Sequence, residues 1–257
     1  MLAWLLRGQR EPVLVPAPRH VALNCRARKH AIFLGVVGLL SFADSGRAQL
    51  SGTVSVVSDY RYRGISLSDN EPAVQVGVNY DDATGWYAGA FASTVKSAAY
   101  DTRGVHVISF AGYAWRMASG WSLDAGADYS VVAASPRYDY PEVYAGFAYQ
   151  NISGRVHYAP RYFGQNAAAL YGELNLAQPL LENVRLLAHV GVLNTEANKY
   201  YGNPSGVLFD GAVGLGIDWQ GFSMQVNWVG VNHSSGAYAV NGIERRHGLV
   251  VALSHSF

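Results

Sequence analysis

The sequence predicts an all-β protein, a transmembrane antiparallel up-and-down β-barrel of about twelve strands. After Leu50 the chain repeats segments rich in Val, Tyr, Trp, Ala and Gly between turn residues. Each segment is close to the length of about 9–11 residues that a tilted strand needs to cross a bilayer. An export signal precedes these segments, and the last of them ends on an aromatic residue, Phe257. The three observations together indicate a barrel of the bacterial outer membrane.

A secretory signal peptide is predicted in the first part of the chain. A basic cluster at 26–30 is followed by an apolar run at 31–42 and by Gly46-Arg47-Ala48, a small-x-small cleavage pattern. The apolar run is too short for a transmembrane helix, which needs roughly 20 residues. We therefore divide the chain into an N-terminal extension with a cleaved signal peptide, 1–48, and a barrel, 49–257, with cleavage expected after Ala48. Where translation starts stays open.

Without residues 1–48 the chain is acidic and has no cysteine. Lys plus Arg falls from 19 to 12 because seven lie in that segment, and Asp plus Glu falls from 18 to 16, so the net charge is about −4. This acidic balance offers no electrostatic footprint for nucleic acid. Because Cys25 leaves with the signal, neither an internal disulfide nor a cysteine metal site is expected. A mean hydropathy of +0.05 suits strands that alternate between lipid-facing and lumenal residues.

Alternation of apolar and polar residues locates the strands. It is clearest from Trp121 to Val131 and from Phe222 to Trp228, and it is equally compatible with a soluble β-sandwich. The links favour the barrel, because those after every second strand are short, like periplasmic turns, and the others are generally longer. The predicted strands are 50–63, 72–80, 86–95, 103–116, 121–132, 140–150, 154–163, 167–178, 183–194, 207–219, 221–232 and 246–257.

Tryptophan and tyrosine positions predict two aromatic belts at the membrane surfaces. Trp86, Trp115, Trp121 and Trp219 lie beside predicted periplasmic turns, whereas Trp228 lies in the middle of a strand. The tyrosines predicted to form the second, outer belt are Tyr60, Tyr62, Tyr100, Tyr138, Tyr140, Tyr162, Tyr200 and Tyr201.

The last ten residues predict a closing strand that the barrel-assembly machinery reads. Apolar side chains at 249, 251, 253 and 257 share one face, as a lipid-facing wall requires. His255 departs from the pattern, because an apolar or aromatic residue is usual at that position. The alternative is the last strand of a soluble β domain.

The stretch from Ser58 to Gln75, with Tyr80 and the run Gly85-Trp86-Tyr87-Ala88-Gly89 after it, closely resembles the opening of the TorF-type porins of proteobacteria. The rest of the chain is similar to that family in length, strand rhythm and ending. The resemblance implies an outer-membrane barrel that acts as a channel, and it names no solute.

Charged side chains of the predicted first strand are the main candidates for contact with a solute. Asp59, Arg61 and Arg63 share one face, so they are expected to point into the lumen. The guanidinium fork suits carboxylates or phosphates, so a positive ladder that favours anions is one interpretation. The other is that these arginines pair with lumenal acids and only neutralise the interior. Further lumenal candidates by the same parity are Asp124, Asp128, Glu142, Glu173 and Arg185, with Gln75, Asn79, His189, Asp210, Asp218 and Asn227.

No pattern in the sequence indicates catalysis. Barrels of this size include lipid-modifying enzymes, but none of His157, His189, His233 and His255 lies in a recognisable nucleophile motif. There is also no metal-ligand spacing and no clustered carboxylate pattern, so neither a metal nor a cofactor is expected.

The sequence therefore predicts a passive outer-membrane channel for small hydrophilic solutes. A closed barrel with a structural or surface-binding role is the alternative, and a lipid-modifying enzyme is a more distant one. The expected partners are outer-membrane lipid and lipopolysaccharide, the assembly machinery that reads Phe257, and small solutes, with no nucleic acid. The solute, the ion selectivity, the oligomeric state and whether the lumen is open or plugged stay open.

Overall fold

The structure is a computed structural model that describes residues 48–97, 102–133, 138–196, 205–232 and 246–257. Fourteen strands lie in this part of the chain, and twelve of them form one sheet that closes on itself. The strands are β1 Ala48–Val57, β2 Arg61–Tyr62, β3 Ile65–Ser66, β4 Ala73–Asp82, β5 Trp86–Ser97, β6 Thr102–Arg116, β7 Trp121–Ala133, β8 Tyr140–Tyr149, β9 Ile152–Ala159, β10 Ala169–Leu181, β11 Val184–Thr195, β12 Val207–Trp219, β13 Phe222–Val231 and β14 His247–Ser256.

The large sheet is a closed antiparallel barrel made of β1 and β4 to β14. Along the chain, each barrel strand pairs with the barrel strand before it and with the one after it. The first and last strands, β1 and β14, also pair and close the ring, with Val54 opposite His255. On its other side β1 pairs with β4, with Val57 opposite Ala73. The predicted twelve-stranded up-and-down barrel is confirmed. Among the described residues no helix is both long and apolar enough to cross a membrane.

The first strand is shorter than predicted. We expected it to continue to residue 63, but β1 ends at Val57 and the chain then turns into the barrel. Ser58 makes the bend, since its N–H donates to the Val251 carbonyl at 2.8 Å and its Oγ accepts the Val251 N–H at 2.9 Å. The placement of Asp59, Arg61 and Arg63 on a barrel strand is therefore wrong, although all three side chains are buried inside the barrel.

The outer wall is apolar and carries the predicted belt of tryptophans at the end with the short turns. Trp86, Trp115, Trp121 and Trp219 are all exposed on the outside of the barrel. Trp86 packs edge-on against Tyr113 with ring centres 5.2 Å apart, and Trp121 stacks on Tyr149 at 4.7 Å. Amphipathic rings of this kind belong at a membrane interface, so we take this end as periplasmic.

The predicted second belt is wrong. Tyr60, Tyr62, Tyr140 and Tyr162 lie inside the barrel with at most 6% of their surface exposed. Three of them lie in segments that fold inward between barrel strands, and Tyr140 points inward from the start of β8. Tyr138 is half-buried, and Tyr100, Tyr200 and Tyr201 lie outside the described residues. The exposed aromatic side chains near the outer strand ends are Tyr129, Tyr158 and Phe209.

The C-terminal residue secures the seam of the barrel. Gly52 and Phe257 exchange two backbone hydrogen bonds of 2.9 and 3.0 Å, and the Phe257 ring covers Gly52 so closely that a Cβ there would lie 2.5 Å from it. His255 lies against Phe222, with ring centres 4.6 Å apart, and near the Phe257 ring. Its imidazole therefore belongs to an aromatic cluster at the periplasmic rim, where its polar edge stays near water.

Candidate functional site

The lumen is the candidate site, and its wall is polar. Asp124, Glu142, His189 and Asp210 are buried on the inner face, opposite the exposed apolar side chains of the same strands. The alternation along each strand predicts which side chains face the lumen, and the structure places these side chains inside the barrel. Those side chains are Gln75, Asn79, Asp124, Asp128, Glu142, Glu173, Arg185, His189, Asp210, Asp218 and Asn227.

Residues 58–72, which connect β1 to β4, fold into the lumen, and we call them the plug. The tip of the plug is the hairpin β2–β3, in which Tyr62 pairs with Ile65. Arg63 and Gly64 between them have φ of 51° and 80°, as a two-residue type I′ turn requires at both positions. This turn suits the twist of a hairpin, and it places Arg63 at the tip of the plug.

Asp59 organises the interior of the plug. Its carboxylate accepts hydrogen bonds from Arg61 Nε at 2.7 Å and from Ser66 Oγ at 2.6 Å. Arg61 also donates to the Gly64 carbonyl at 3.1 Å, so one guanidinium links the base of the hairpin to its tip. The Ser68 hydroxyl accepts the Tyr60 N–H at 2.9 Å. Since these groups are buried, the bonds fix the plug in one conformation.

Hydrogen bonds attach the plug to three neighbouring strands of the barrel wall. Tyr60 Oη lies 2.9 Å from His106 Nδ1, and His106 Nε2 lies 2.7 Å from Ser130 Oγ. Tyr140 donates to the Tyr62 hydroxyl at 3.1 Å. These bonds therefore fix the plug against β6, β7 and β8, which pair with one another in this order.

The strongest attachment is an ion pair at the tip of the plug. Arg63 Nη2 donates to both carboxylate oxygens of Glu142, at 2.6 and 2.9 Å, and the two side chains are 3% and 2% exposed. The Arg63 guanidinium also lies 4.5 Å from the ring centre of Tyr171 and 4.9 Å from that of Tyr62. Ring faces and a carboxylate together compensate the charge of a guanidinium removed from water.

A second inward segment completes the outer half of the lumen. The 3₁₀ turn Tyr162–Gly164, which follows β9, contributes two rings that are at most 5% exposed. Phe163 has a φ of 50°, and its ring lies 5.0 Å from that of Tyr140. Together with Tyr60, Ile65 and Leu208 these rings form an apolar core inside the barrel. Apolar packing therefore stabilises the plug in addition to its polar contacts.

An exposed clasp holds the outer end of the plug. Glu71 pairs with Lys96 at the end of β5 and with Arg103 of β6 at 3.1 Å. The hydrogen bond from Lys96, with the charges of Lys96 and Arg103, holds the pKa of the Glu71 carboxyl below its usual range. The clasp therefore stays ionised at neutral pH, although exposed pairs contribute little to stability.

We expect a Gly64→Ala substitution to loosen the plug. A Cβ at Gly64 would lie 2.6 Å from Asp210 Cβ, and the φ of 80° is unfavourable for alanine, so steric overlap of about 1–3 kcal/mol adds to the backbone strain. The matched control is Gly120→Ala, because Gly120 has a φ of 86° in a periplasmic turn and a Cβ there would meet nothing closer than 3.6 Å. Hydrogen exchange of residues 58–72 should quicken in the first variant alone. Equal exchange in both variants would contradict the close contact.

A cavity of about 110 Å³ lies at the tip of the plug. Its wall includes Arg63, Tyr87, Asp128, Tyr144 and His157. Since one water needs about 10–15 Å³ by this measure, the cavity has room for several waters or one small solute. It is lined by aromatic faces and charged groups together, which is typical of a site for a hydrophilic ligand.

Below the cavity a polar network crosses the barrel toward the periplasmic end. Asp124 accepts hydrogen bonds from Arg155 at 2.6 Å and from the Tyr87 hydroxyl at 2.8 Å. The guanidinium of Arg155 lies 4.3 Å from the Tyr144 ring centre. Near the turns, Arg185 donates to Asp218 at 2.8 Å. Of the two interpretations of the arginines, the structure therefore shows pairing with acids for Arg61, Arg63 and Arg185.

Sequence reasoning missed several residues that shape the lumen. The pattern places Tyr62 and Tyr162 in the outer aromatic belt, yet both lie in the apolar core inside the barrel. Arg155 and His157 were not selected, although the alternation of β9 exposes them to the lumen by the parity that identified the other residues. The alternation of β9 could therefore have identified Arg155 and His157 as lumenal. No comparable pattern in the sequence predicts that the plug and the segment after β9 fold inward.

Comparison with known proteins identifies a family and a fold. Residues 42–257 match the model of a family described as a bacterial protein of unknown function, Gcw_chp, and no curated protein matches the sequence. The structure is similar to the NanC porin at 11% identity, covering 81% of this chain and 99% of that one with a TM-score of 0.51. It is also similar to the KdgM porin at 12% identity, covering 80% and 99% with a TM-score of 0.50. The fold is thus that of porins, and the resemblance to TorF-type porins stays a prediction.

Proposed function

The chain belongs to the Gcw_chp family of bacterial proteins, and we propose that it is an outer-membrane channel for passive diffusion of small hydrophilic solutes, narrowed by its plug. The observation that carries this proposal is the division of the barrel wall into an apolar outside and a polar, charged inside. A barrel whose only role was to anchor a surface domain would gain nothing from charged groups in its interior, since each costs desolvation.

The lumen limits the size of the solute. A barrel of about twelve strands is narrower than porins of 16–18 strands, which leave a wide aqueous channel. Here the plug further occupies the outer half, and the cavity below it measures about 110 Å³. The proposed solutes are therefore ions and molecules of a few heavy atoms, which exchange hydration for contacts with the wall.

A closed barrel is the second candidate, and one observation favours it. The plug is packed by an apolar core that includes Tyr62, Ile65, Tyr140 and Leu208, and apolar cores do not conduct ions. If the plug never moves, the protein is a closed barrel that presents its outer surface to partners. Conductance distinguishes the two functions, because a closed barrel conducts no ions under any voltage.

Insertion into the outer membrane is part of the proposal. The apolar band and the tryptophan belt support contact with lipid and lipopolysaccharide. The paired seam between Gly52 and Phe257 supports a role for the terminal strand in assembly, since this strand must be in place before the barrel can close.

The charge of the lumen sets its expected selectivity. Because Arg61 and Arg63 are neutralised within ion pairs, we replace the anion-selective ladder by a preference for cations. Carboxylates outnumber arginines among the described lumenal residues. The acids are Asp59, Asp124, Asp128, Glu142, Glu173, Asp210 and Asp218, and the arginines are Arg61, Arg63, Arg155 and Arg185.

We expect the refolded protein to conduct cations more readily than anions in a planar bilayer. The sign of the reversal potential in a salt gradient, measured with a chelator present, reports this preference. The double variant Asp128→Asn, Glu173→Gln should reduce that preference, because neither of these lumenal acids forms an ion pair with an arginine among the described residues, whose nearby guanidinium groups bind Glu142 and Asp124. The effect should weaken as salt increases, since charges in contact with water are screened. Glu182→Gln, in an exposed periplasmic turn, is the control. Anion preference, or an unchanged reversal potential in the double variant, would contradict the charge assignment.

A further inference from the structure

Three potential metal ligands meet in the lumenal cavity at the tip of the plug. Asp128 of β7 and Glu142 of β8 are directly opposite each other across the strand pair, and His157 comes from β9. His157 Nδ1 lies 3.7 Å from Glu142 Oε2 and 3.9 Å from Asp128 Oδ2, and one ligand atom from each residue lies within 4.8 Å of the others. These separations are too long for hydrogen bonds.

Two members of this cluster have no hydrogen-bond partner among the described residues. The Asp128 side chain is only 8% exposed, and its nearest basic neighbour is the His157 nitrogen at 3.9 Å. His157 Nδ1 is buried and receives or donates no hydrogen bond. A carboxylate and a buried ring nitrogen that face each other without a bond form a pair of ligand atoms that a bound cation would satisfy, and unpaired buried polar groups are otherwise costly.

The charge of the cavity wall specifies a cation. The wall holds three carboxylates, those of Asp128, Glu142 and Glu173. It also holds two arginines, but Arg63 is paired with Glu142 and Arg155 with Asp124. Neither Asp128 nor Glu173 forms an ion pair with an arginine within the described part of the chain, although Arg155 lies opposite Glu173 across β9 and β10. A bound cation would add positive charge beside these acids.

We propose that Asp128, Glu142 and His157 bind one divalent transition-metal cation in this cavity. The donor set is two carboxylate oxygens and one imidazole nitrogen, which suits zinc and its first-row neighbours, whereas magnesium and calcium prefer oxygen alone. Metal–ligand bonds of about 2.0–2.2 Å let one ion bridge atoms up to about 4 Å apart, so the distances from His157 fit with little side-chain movement.

Arg63 positions Glu142 for this role. It occupies one side of the carboxylate with two hydrogen bonds, and the remaining lone pairs are available to a metal on the other side. A hydrogen-bonded outer partner of this kind orients a metal ligand. The site would thus connect β7, β8 and β9 to the tip of the plug, and its occupancy would stabilise the closed position.

The test is metal binding by the refolded full barrel after treatment with a chelator. We expect calorimetric titration with zinc chloride to give a stoichiometry of one ion per chain. The electron paramagnetic resonance spectrum of added Mn²⁺ should likewise show that the ion is bound. Asp128→Asn and His157→Gln should each weaken zinc binding by more than about 10-fold, since changes of outer partners alone cost roughly 10–100-fold. His255→Gln, which alters an imidazole on the outside of the barrel, should bind zinc as the wild type does.

Heat-modifiable mobility on gels identifies which variants have folded. If either Asp128→Asn or His157→Gln does not fold, the zinc affinity of the other variant tests the proposal. Absence of zinc binding in the wild type would overturn the proposal. Equal affinity in the wild type and in a folded Asp128→Asn or His157→Gln variant would also overturn it, because the ion would then bind elsewhere. These titrations need no ion flow, so they are independent of whether the barrel conducts.

Discussion

Replacement of Arg63 by glutamine is expected to release the plug from the barrel wall. Glu142, 2% exposed in the native protein, would lose both charged hydrogen bonds and remain as a buried carboxylate without a countercharge. Breaking a buried pair in this way costs about 3–5 kcal/mol. We therefore expect amide exchange in residues 58–72 to quicken by about 100-fold or more, because each 1.4 kcal/mol is a factor of about ten.

Two variants make that result specific. Arg185→Gln removes a guanidinium from a pair in which Asp218 is 45% exposed, so it should change exchange in the plug very little. Combining Arg63→Gln with Glu142→Gln should recover most of the protection, because position 142 then no longer carries the charge that Arg63 compensated. If the double variant exchanges as fast as Arg63→Gln, the pair contributes through packing and not through charge.

Removal of the plug is expected to produce the largest change in function. Val57 and Ala73 are opposite each other where β1 and β4 emerge, so a short glycine-serine turn can replace residues 59–70 without moving either strand. The barrel strands keep all their partners, and heat-modifiable mobility should persist. We expect single-channel conductance to rise several-fold, because the apolar core that fills the outer half of the lumen loses Tyr60, Tyr62 and Ile65.

A second measurement separates a removed plug from a damaged barrel. The variant should keep a circular-dichroism spectrum of β-structure and the wild-type gel mobility before heating. Unchanged conductance in a folded variant would mean that the plug does not limit flow, and the constriction would then lie lower, at Asp124 and Arg155.

The positions of the strands, and which of their side chains face the lumen, could be predicted from the sequence. Both follow from one rule, the alternation of apolar and polar side chains along a barrel strand. The predicted strand at 207–219 coincides with β12, and Glu142 and Asp210 face inward as expected. A wall with lipid on one side and water on the other fixes this register. The periplasmic tryptophans follow from the same membrane geometry.

The plug was not predictable in the same way. Apolar and polar residues alternate from Val54 to Val56 and, in the same parity, from Asp59 to Arg63, and only Val57 and Ser58 interrupt the pattern. An interruption of two residues does not by itself show that the chain leaves the wall there. The inward turn depends on partners far away in sequence, such as Glu142 and His106. Asp128, Glu142 and His157 likewise come from three strands, and no spacing along the chain records their meeting.

Solute uptake by liposomes tests the central proposal of a plug-narrowed channel most directly. We expect liposomes with the wild-type protein to swell in glycerol faster than protein-free liposomes and to show no added uptake of a disaccharide. Liposomes with the plug replaced should admit both solutes. Wild-type liposomes that take up glycerol no faster than protein-free ones, while the plug-replaced protein admits it, would contradict the channel and identify a closed barrel.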